Sequence, residues 1–180
     1  MHHETDPQPS AYFEHARVIN EAARLLLRLD TRDTTSLHAK ISIGLSLQAT
    51  ELAGKGILRA LGDDSTAIRK THSQHNIVHL LQTVDKRIRD HQNPKLRTSC
   101  DFMRWQPEIN GVQFGTTIGQ YFTSHFAHGP ISHPRNYFYP DHAAFSGPEP
   151  IHAIHLMVEY IISCGEALNA SLAGGALLKT

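Results

Sequence analysis

A chain of 180 residues is long enough to bury a sizeable core as one domain without covalent staples. Apolar residues at 40% and charged residues at 19% exclude wholesale disorder. Seventeen basic side chains balance 17 acidic ones. The resulting zero net charge excludes a global attraction to nucleic acid, although a few placed cations suffice for a local phosphate site.

Pro7 and Pro9 precede a first helix predicted to start at Ser10, whose hydroxyl is expected to cap the first amides. Phe13, Ala16, Ile19, Ala23, Leu26 and Leu27 recur at helical spacing, and the cap-rich run Asp30 to Thr35 stops the helix near Leu29. A second helix is predicted over residues 36–61. Leu37, Ile41, Leu45, Leu52 and Leu58 supply its apolar positions, and Ile43, Leu47 and Ile57 widen the stripe. A helix apolar around so much of its circumference belongs at the centre of a bundle. Gly54 and Gly56 lower its propensity and allow close packing or the approach of a ligand. Gly62 and Asp63-Asp64-Ser65 supply its stop.

A third helix is the plainest, because Ile77, Leu80, Leu81, Val84 and Ile88 fall at i, i+3, i+4, i+7 and i+11, with Pro94 beyond its end. From residue 93 to 147 two readings stand side by side. Asn110-Gly111 fits a β-hairpin, whereas Gly111, Gly115 and Gly119 permit a short helix reaching Phe126. Five prolines between Gly129 and Pro150 predict an irregular stretch. A last helix follows Pro150, carried by Ile151, Ile154, Val158, Ile161, Ile162, Ala167 and Leu168, and Gly174-Gly175 is expected to end it. The fold class is therefore all-α: an antiparallel helical bundle, residues 10–173, with an irregular or small β/α insertion at about 93–133. Residues 1–9 and 174–180 form tails.

Cys100 and Cys164 lie outside any CxxC pattern and suggest neither a disulfide framework nor a zinc knuckle. The N-terminal run Met1 to Asp6 lacks the basic and apolar regions of a signal peptide, and no stretch of the sequence reads as a membrane span. A cytoplasmic protein with no membrane partner is expected.

Three constellations could carry chemistry. Glu51 and Lys55 stand at i, i+4 on the second helix, and so much apolar surface around them favours a polar network on the inner face of the bundle. In Arg135-Asn136-Tyr137-Phe138-Tyr139-Pro140-Asp141-His142, a guanidinium can grip a phosphate and an imidazole can move a proton. These two groups are the minimum for RNA transesterification, in which a 2′-hydroxyl is deprotonated and phosphorane charge is stabilised. The 14 histidines supply a metal alternative: His72, His75 and His79; His125, His128 and His133; or His152 and His155. No HExxH signature accompanies them, and hydrogen-bonded or surface histidines are the plainer expectation. Trp105, Tyr121 and Phe122 either stack on bases or pack the insertion onto the bundle.

The run Ser46 to Leu58, with Ala49, Glu51 and Lys55, resembles the second helix of HEPN domains (higher eukaryotes and prokaryotes nucleotide-binding). Thr71-His72 leading to Leu80-Leu81 is similar to the following segment of that family, and an Arg-containing turn before a final helix matches residues 135 to 168. The resemblance covers roughly residues 10 to 172, the insertion least well. It implies a metal-independent endoribonuclease without cofactor, toxin-like or antiviral, built as a homodimer in which two Arg-x4–6-His motifs meet. Arg135 and His142 satisfy the longest spacing, with Asn136 as the polar residue after the Arg. Arg135 would then orient and neutralise the scissile phosphate, His142 would serve as general acid or base, and Glu51 and Lys55 would support them. Pro140 departs from a direct lead into the last helix. Tyr139-Pro140-Asp141 instead resembles the end of a second HEPN pattern, in which Pro140 and Asp141 shape a turn and His142 need not be catalytic. Domains of that pattern bind nucleotides or partners, often a nucleotidyltransferase antitoxin.

Overall fold

A computed structural model describes residues 6–29, 37–71, 76–126 and 151–177. Most of them are helical. Helix α1 (Pro9–Leu29) begins one residue earlier than expected. Pro9 takes the first helical position, where its missing N–H costs nothing, and Ala11 N–H donates to Gln8 O. Ser10 therefore lies within the first turn and is not the cap. The buried seam of α1 runs Phe13, Ala16, Asn20, Ala23, Leu27, a strict heptad-like series with one amide in it. Ile19 and Leu26 lie beside this seam, only partly buried.

Helix α2 (Leu37–Ala60) packs against α1, α4 and α7, the central place that its apolar circumference predicts. Its innermost residues are Ala39, Ile43, Leu47, Ala49, Ala53 and Ile57, whereas Leu37 is more than half exposed. The helix ends in a Schellman motif: Asp63 N–H donates to Leu58 O, Gly62 N–H donates to Arg59 O, and Gly62 adopts a φ of 96°. The Asp63-Asp64-Ser65 run is not only a stop. Asp64 Oδ1 accepts from Ala67 N–H at 2.7 Å and opens α3 (Ser65–Thr71), a short helix that no apolar period announces.

Helix α4 (Ile77–Asp90) buries the expected Ile77, Leu80, Leu81, Val84 and Ile88, and the Asn76 side chain caps it by accepting from His79 N–H. Pro94 then opens α5 (Pro94–Ser99), and a 3-10 turn follows at Phe102–Arg104. The hairpin reading holds, and a helix reaching Phe126 follows it, although Gly111 and Gly115 lie outside that helix. Strands β1 (Glu108–Ile109) and β2 (Val112–Gln113) pair antiparallel. Asn110 and Gly111 turn between them at φ 53° and 80°, the positive pair that a two-residue type I′ turn requires. Helix α6 (Ile118–Phe126) starts only after the hairpin, through a reciprocal cap: Gln120 N–H donates to Thr117 Oγ1 and Thr117 N–H donates to Gln120 Oε1.

Helix α7 (Ile151–Leu177) carries the last buried stripe, from Ala153 to Leu168. It continues through Gly174-Gly175, which were expected to end it. A Cβ at Gly174 would meet open space, and its φ is not in the left-handed region, so glycine here imposes no stop. Part of the expected 174–180 tail is thus helical.

Contacts fix the directions. Gly56 and Gly165 both face Phe13, while Ser42 and His155 reach the other end of α1 at Ala23 and Asn20. Helix α1 is therefore antiparallel to both neighbours, and α2 and α7 run the same way. That arrangement needs a long connection, which the chain from α3 to α6 and onward supplies. The glycines of α2 serve close packing: an added Cβ would lie 2.7 Å from the Phe13 ring at Gly56 and 3.0 Å from Leu80 at Gly54. No described helix is long and apolar enough to cross a membrane.

Candidate functional site

The start of α2, the end of α1 and the start of α7 meet at one end of the bundle. A polar cluster is buried there. Ser42, Ser46 and Thr50 repeat at i, i+4, i+8 on α2, all fully buried. Such hydroxyls in a helix find an acceptor one turn back: Ser46 donates to Ser42 O at 3.0 Å and Thr50 to Ser46 O at 2.8 Å. Ser42 instead reaches across to Ala23 O at 2.8 Å, a carbonyl in the last turns of α1.

His155 of α7 lies over these hydroxyls, only 3% exposed. Its Nε2 is 3.2 Å from Ser42 Oγ and its Nδ1 is 3.0 Å from Ser46 Oγ. Asn20 closes the cluster from α1, with Oδ1 at 3.4 Å from Nδ1 and Nδ2 donating to His155 O at 3.2 Å. With the Ser42 proton on Ala23 O, Nε2–H donates to Ser42 Oγ, and the single Ser46 hydroxyl proton is shared between Ser42 O and Nδ1. Enclosed in this way, the ring has no path to a substrate. Its role is to fasten three helices at the end where α7 begins.

Farther along α2, Lys55 Nζ donates to Glu51 Oε1 at 2.5 Å, with the carboxylate buried and the ammonium largely so. This pair was expected to belong to a polar network on the inner face. The pair is a buried ion pair, and the polar cluster described on the inner face is a different one, centred on His155.

A second cluster joins α5, the 3-10 turn and α7. Cys100 and Cys164 are free thiols, both buried. Cys100 Sγ donates to the backbone Cys164 O at 3.4 Å. The neighbouring Cys164 side chain, and burial, push the Cys100 thiol far above the ordinary thiol value. Cys164 is held below it, chiefly by the neighbouring Cys100 side chain and also by that of Tyr160. Desolvation, with the neighbouring sulfur, pushes Tyr160 up to about 12. The Tyr160 ring stacks on Trp105 at 4.3 Å with the planes 9° apart.

Trp105, Tyr121 and Phe122 thus pack the insertion onto the bundle, since Tyr121 and Phe122 are also buried. His125 leans on Tyr121 at 4.8 Å, and His79 is on an exposed face of α4. Among the described residues no three His, Cys, Asp or Glu side chains converge in a way that could hold a metal ion. His128 and His133, and His72 and His75, lie outside the described residues, as do Arg135, Asn136, Asp141 and His142. Of the expected site, Glu51, Lys55 and His125 are described, and only the first two touch each other.

Two groupings escaped the sequence. The Asn20–Ser42–Ser46–His155 cluster did leave a signal, a polar stripe at helical spacing on an otherwise apolar helix. The cysteine pair left none, because 64 residues separate its members. Comparison with protein-family models, with curated proteins and with solved structures gives no match.

Proposed function

We propose that this chain is a HEPN-like, metal-independent RNA endonuclease of toxin-like or antiviral type, acting as a homodimer on an RNA substrate. What carries the reading is an Arg135-x6-His142 spacing ahead of the last helix in an all-α bundle whose second helix buries the Glu51–Lys55 pair. In this reading Arg135 neutralises the scissile phosphate and His142 transfers a proton at the 2′-hydroxyl or the leaving oxygen. Asn136 and Asp141 orient the segment. The cluster around His155 supports it by fixing the first turns of α7, so that the chain arriving from residue 150 meets a rigid frame. Self-association has support on the outer face of α1. Val18 and Leu25 are 65% and 50% exposed, on a groove rimmed by Arg17, Glu21, Arg24 and Glu159. Charges of both signs on one patch let a second copy pair with it about a two-fold axis.

The test is cleavage of structured RNA in EDTA by wild type, Arg135→Ala and His142→Ala. Loss of cleavage in both variants is expected, and equal activity in all three overturns the proposal. A second reading, favoured by Tyr139-Pro140-Asp141, is a non-catalytic module that binds a nucleotide or a nucleotidyltransferase partner. It predicts no cleavage by wild type under any condition. Cleavage that requires added zinc would point instead to a metal-dependent enzyme using His125, His128 and His133.

A further inference from the structure

We propose that Arg89, Arg97 and Arg104 form a phosphate-binding site that holds the sugar–phosphate backbone of RNA, using none of the residues assigned to cleavage. The choice of RNA as ligand rests on the nuclease reading. The phosphate chemistry rests on the pocket itself.

Positive charge is concentrated here in a chain of zero net charge. Residues 85–104 hold six of the 17 basic residues and only three of the 17 acidic ones. Three of the six rim one pocket of about 200 Å³. Each comes from a different element: Arg89 from α4, Arg97 from α5 and Arg104 from the 3-10 turn. Ile88 and Met103 form an apolar part of the wall, which keeps water from one side and strengthens attraction between opposite charges.

Arg97 is the fixed member. Its Nε donates at 2.9 Å to the carbonyl of His91, the residue that closes α4. A main-chain carbonyl holds the guanidinium in place without neutralising it. Among the described residues no carboxylate pairs with Arg97, and its two terminal amino groups are left for an anion. The other two arginines are paired but loosely held. Arg89 meets Asp85, and Arg104 lies 3.7 Å from Asp101. Their side chains are 65% and 81% exposed, so exchanging a carboxylate for a phosphate costs each little.

The arrangement selects the anion. Guanidinium forks approaching from three elements suit the tetrahedral oxygens of a phosphate better than the two coplanar oxygens of a carboxylate. Contacts of this kind position a strand without reading its bases.

The experiment is fluorescence anisotropy of a short, labelled, single-stranded RNA with the full chain in EDTA, over a series of potassium chloride concentrations. Every 2′-oxygen is methylated, so the strand binds but is not cut. Arg89→Ala, Arg97→Ala and Arg104→Ala should each weaken binding about threefold or more. The triple variant should also lose about 2 from the slope of log affinity against log salt. Arg97→Lys keeps the charge without the fork and should fall between wild type and Arg97→Ala. Arg69→Ala, which removes an exposed cation of α3 outside the pocket, should bind as wild type does. Wild type that does not bind, a triple variant that binds as tightly as wild type, an equal loss in Arg69→Ala, or displacement by oligoglutamate as readily as by unlabelled RNA would each overturn the proposal. Cleavable RNA separates this site from the nuclease reading. Binding that the triple variant loses, with no cleavage by wild type, supports the site and fails the nuclease. Cleavage by wild type, with undiminished binding by the triple variant, does the reverse.

Discussion

His155 shows how a residue that looks chemical can be structural. It is a titratable side chain one turn after His152, but its ring meets two serine hydroxyls and an asparagine amide in the core. Removing the ring leaves those groups facing a cavity, so His155→Ala should destabilise the fold by about 3 kcal/mol in urea unfolding. Ser42→Ala should cost about 1 kcal/mol, and the double variant should cost less than the sum because the partners are shared. Additivity would show that the two side chains act independently. The sequence made this cluster half legible. Ser42, Ser46 and Thr50 stand out as a polar stripe, whereas Asn20 hides in an apolar heptad and only the fold brings it to His155. At Arg135 and His142 the sequence gives spacing and residue type, and these two alone carry the site assignment.

Between elements, the closest fit is the Phe13 ring, which fills a notch made by Gly56 and Gly165. A Cβ on Gly165 would lie 2.3 Å from that ring. Gly165→Ala should therefore cost about 3 kcal/mol or more, despite the better helix propensity of alanine. Adding Phe13→Leu should recover part of the loss, a coupling that a double-mutant cycle by thermal unfolding measures. No recovery would mean that the strain is released elsewhere. Gly111→Ala should cost about 1 kcal/mol, because φ at this turn position is 80°. The bodies of the long elements are legible because burial repeats along them, but their ends are not: α1 opens at Pro9 and α7 runs past Gly174-Gly175. Short ones are set by local caps, which apolar periodicity does not reveal. Asp64 looks like part of a stop but starts α3, and the Thr117–Gln120 box, which no apolar period marks, decides where α6 begins.

At the scale of the molecule, the all-α bundle was legible because four strongly apolar stripes have to meet each other. The direction of α7 was not, since apolar period carries no sense of up or down and only contacts such as His155 to Ser42 supply it. The exposed apolar positions of α1 make the oligomeric state testable: Leu25→Glu should convert a dimer to a monomer in analytical ultracentrifugation, and an unchanged dimer would place the interface elsewhere. Most direct for the proposed activity is the end chemistry of RNA incubated with the protein in EDTA. Attack by the 2′-hydroxyl predicts 2′,3′-cyclic phosphate ends with wild type and intact RNA with Arg135→Ala and His142→Ala. Cleavage by all three proteins alike, or 3′-hydroxyl ends from wild type, would contradict it.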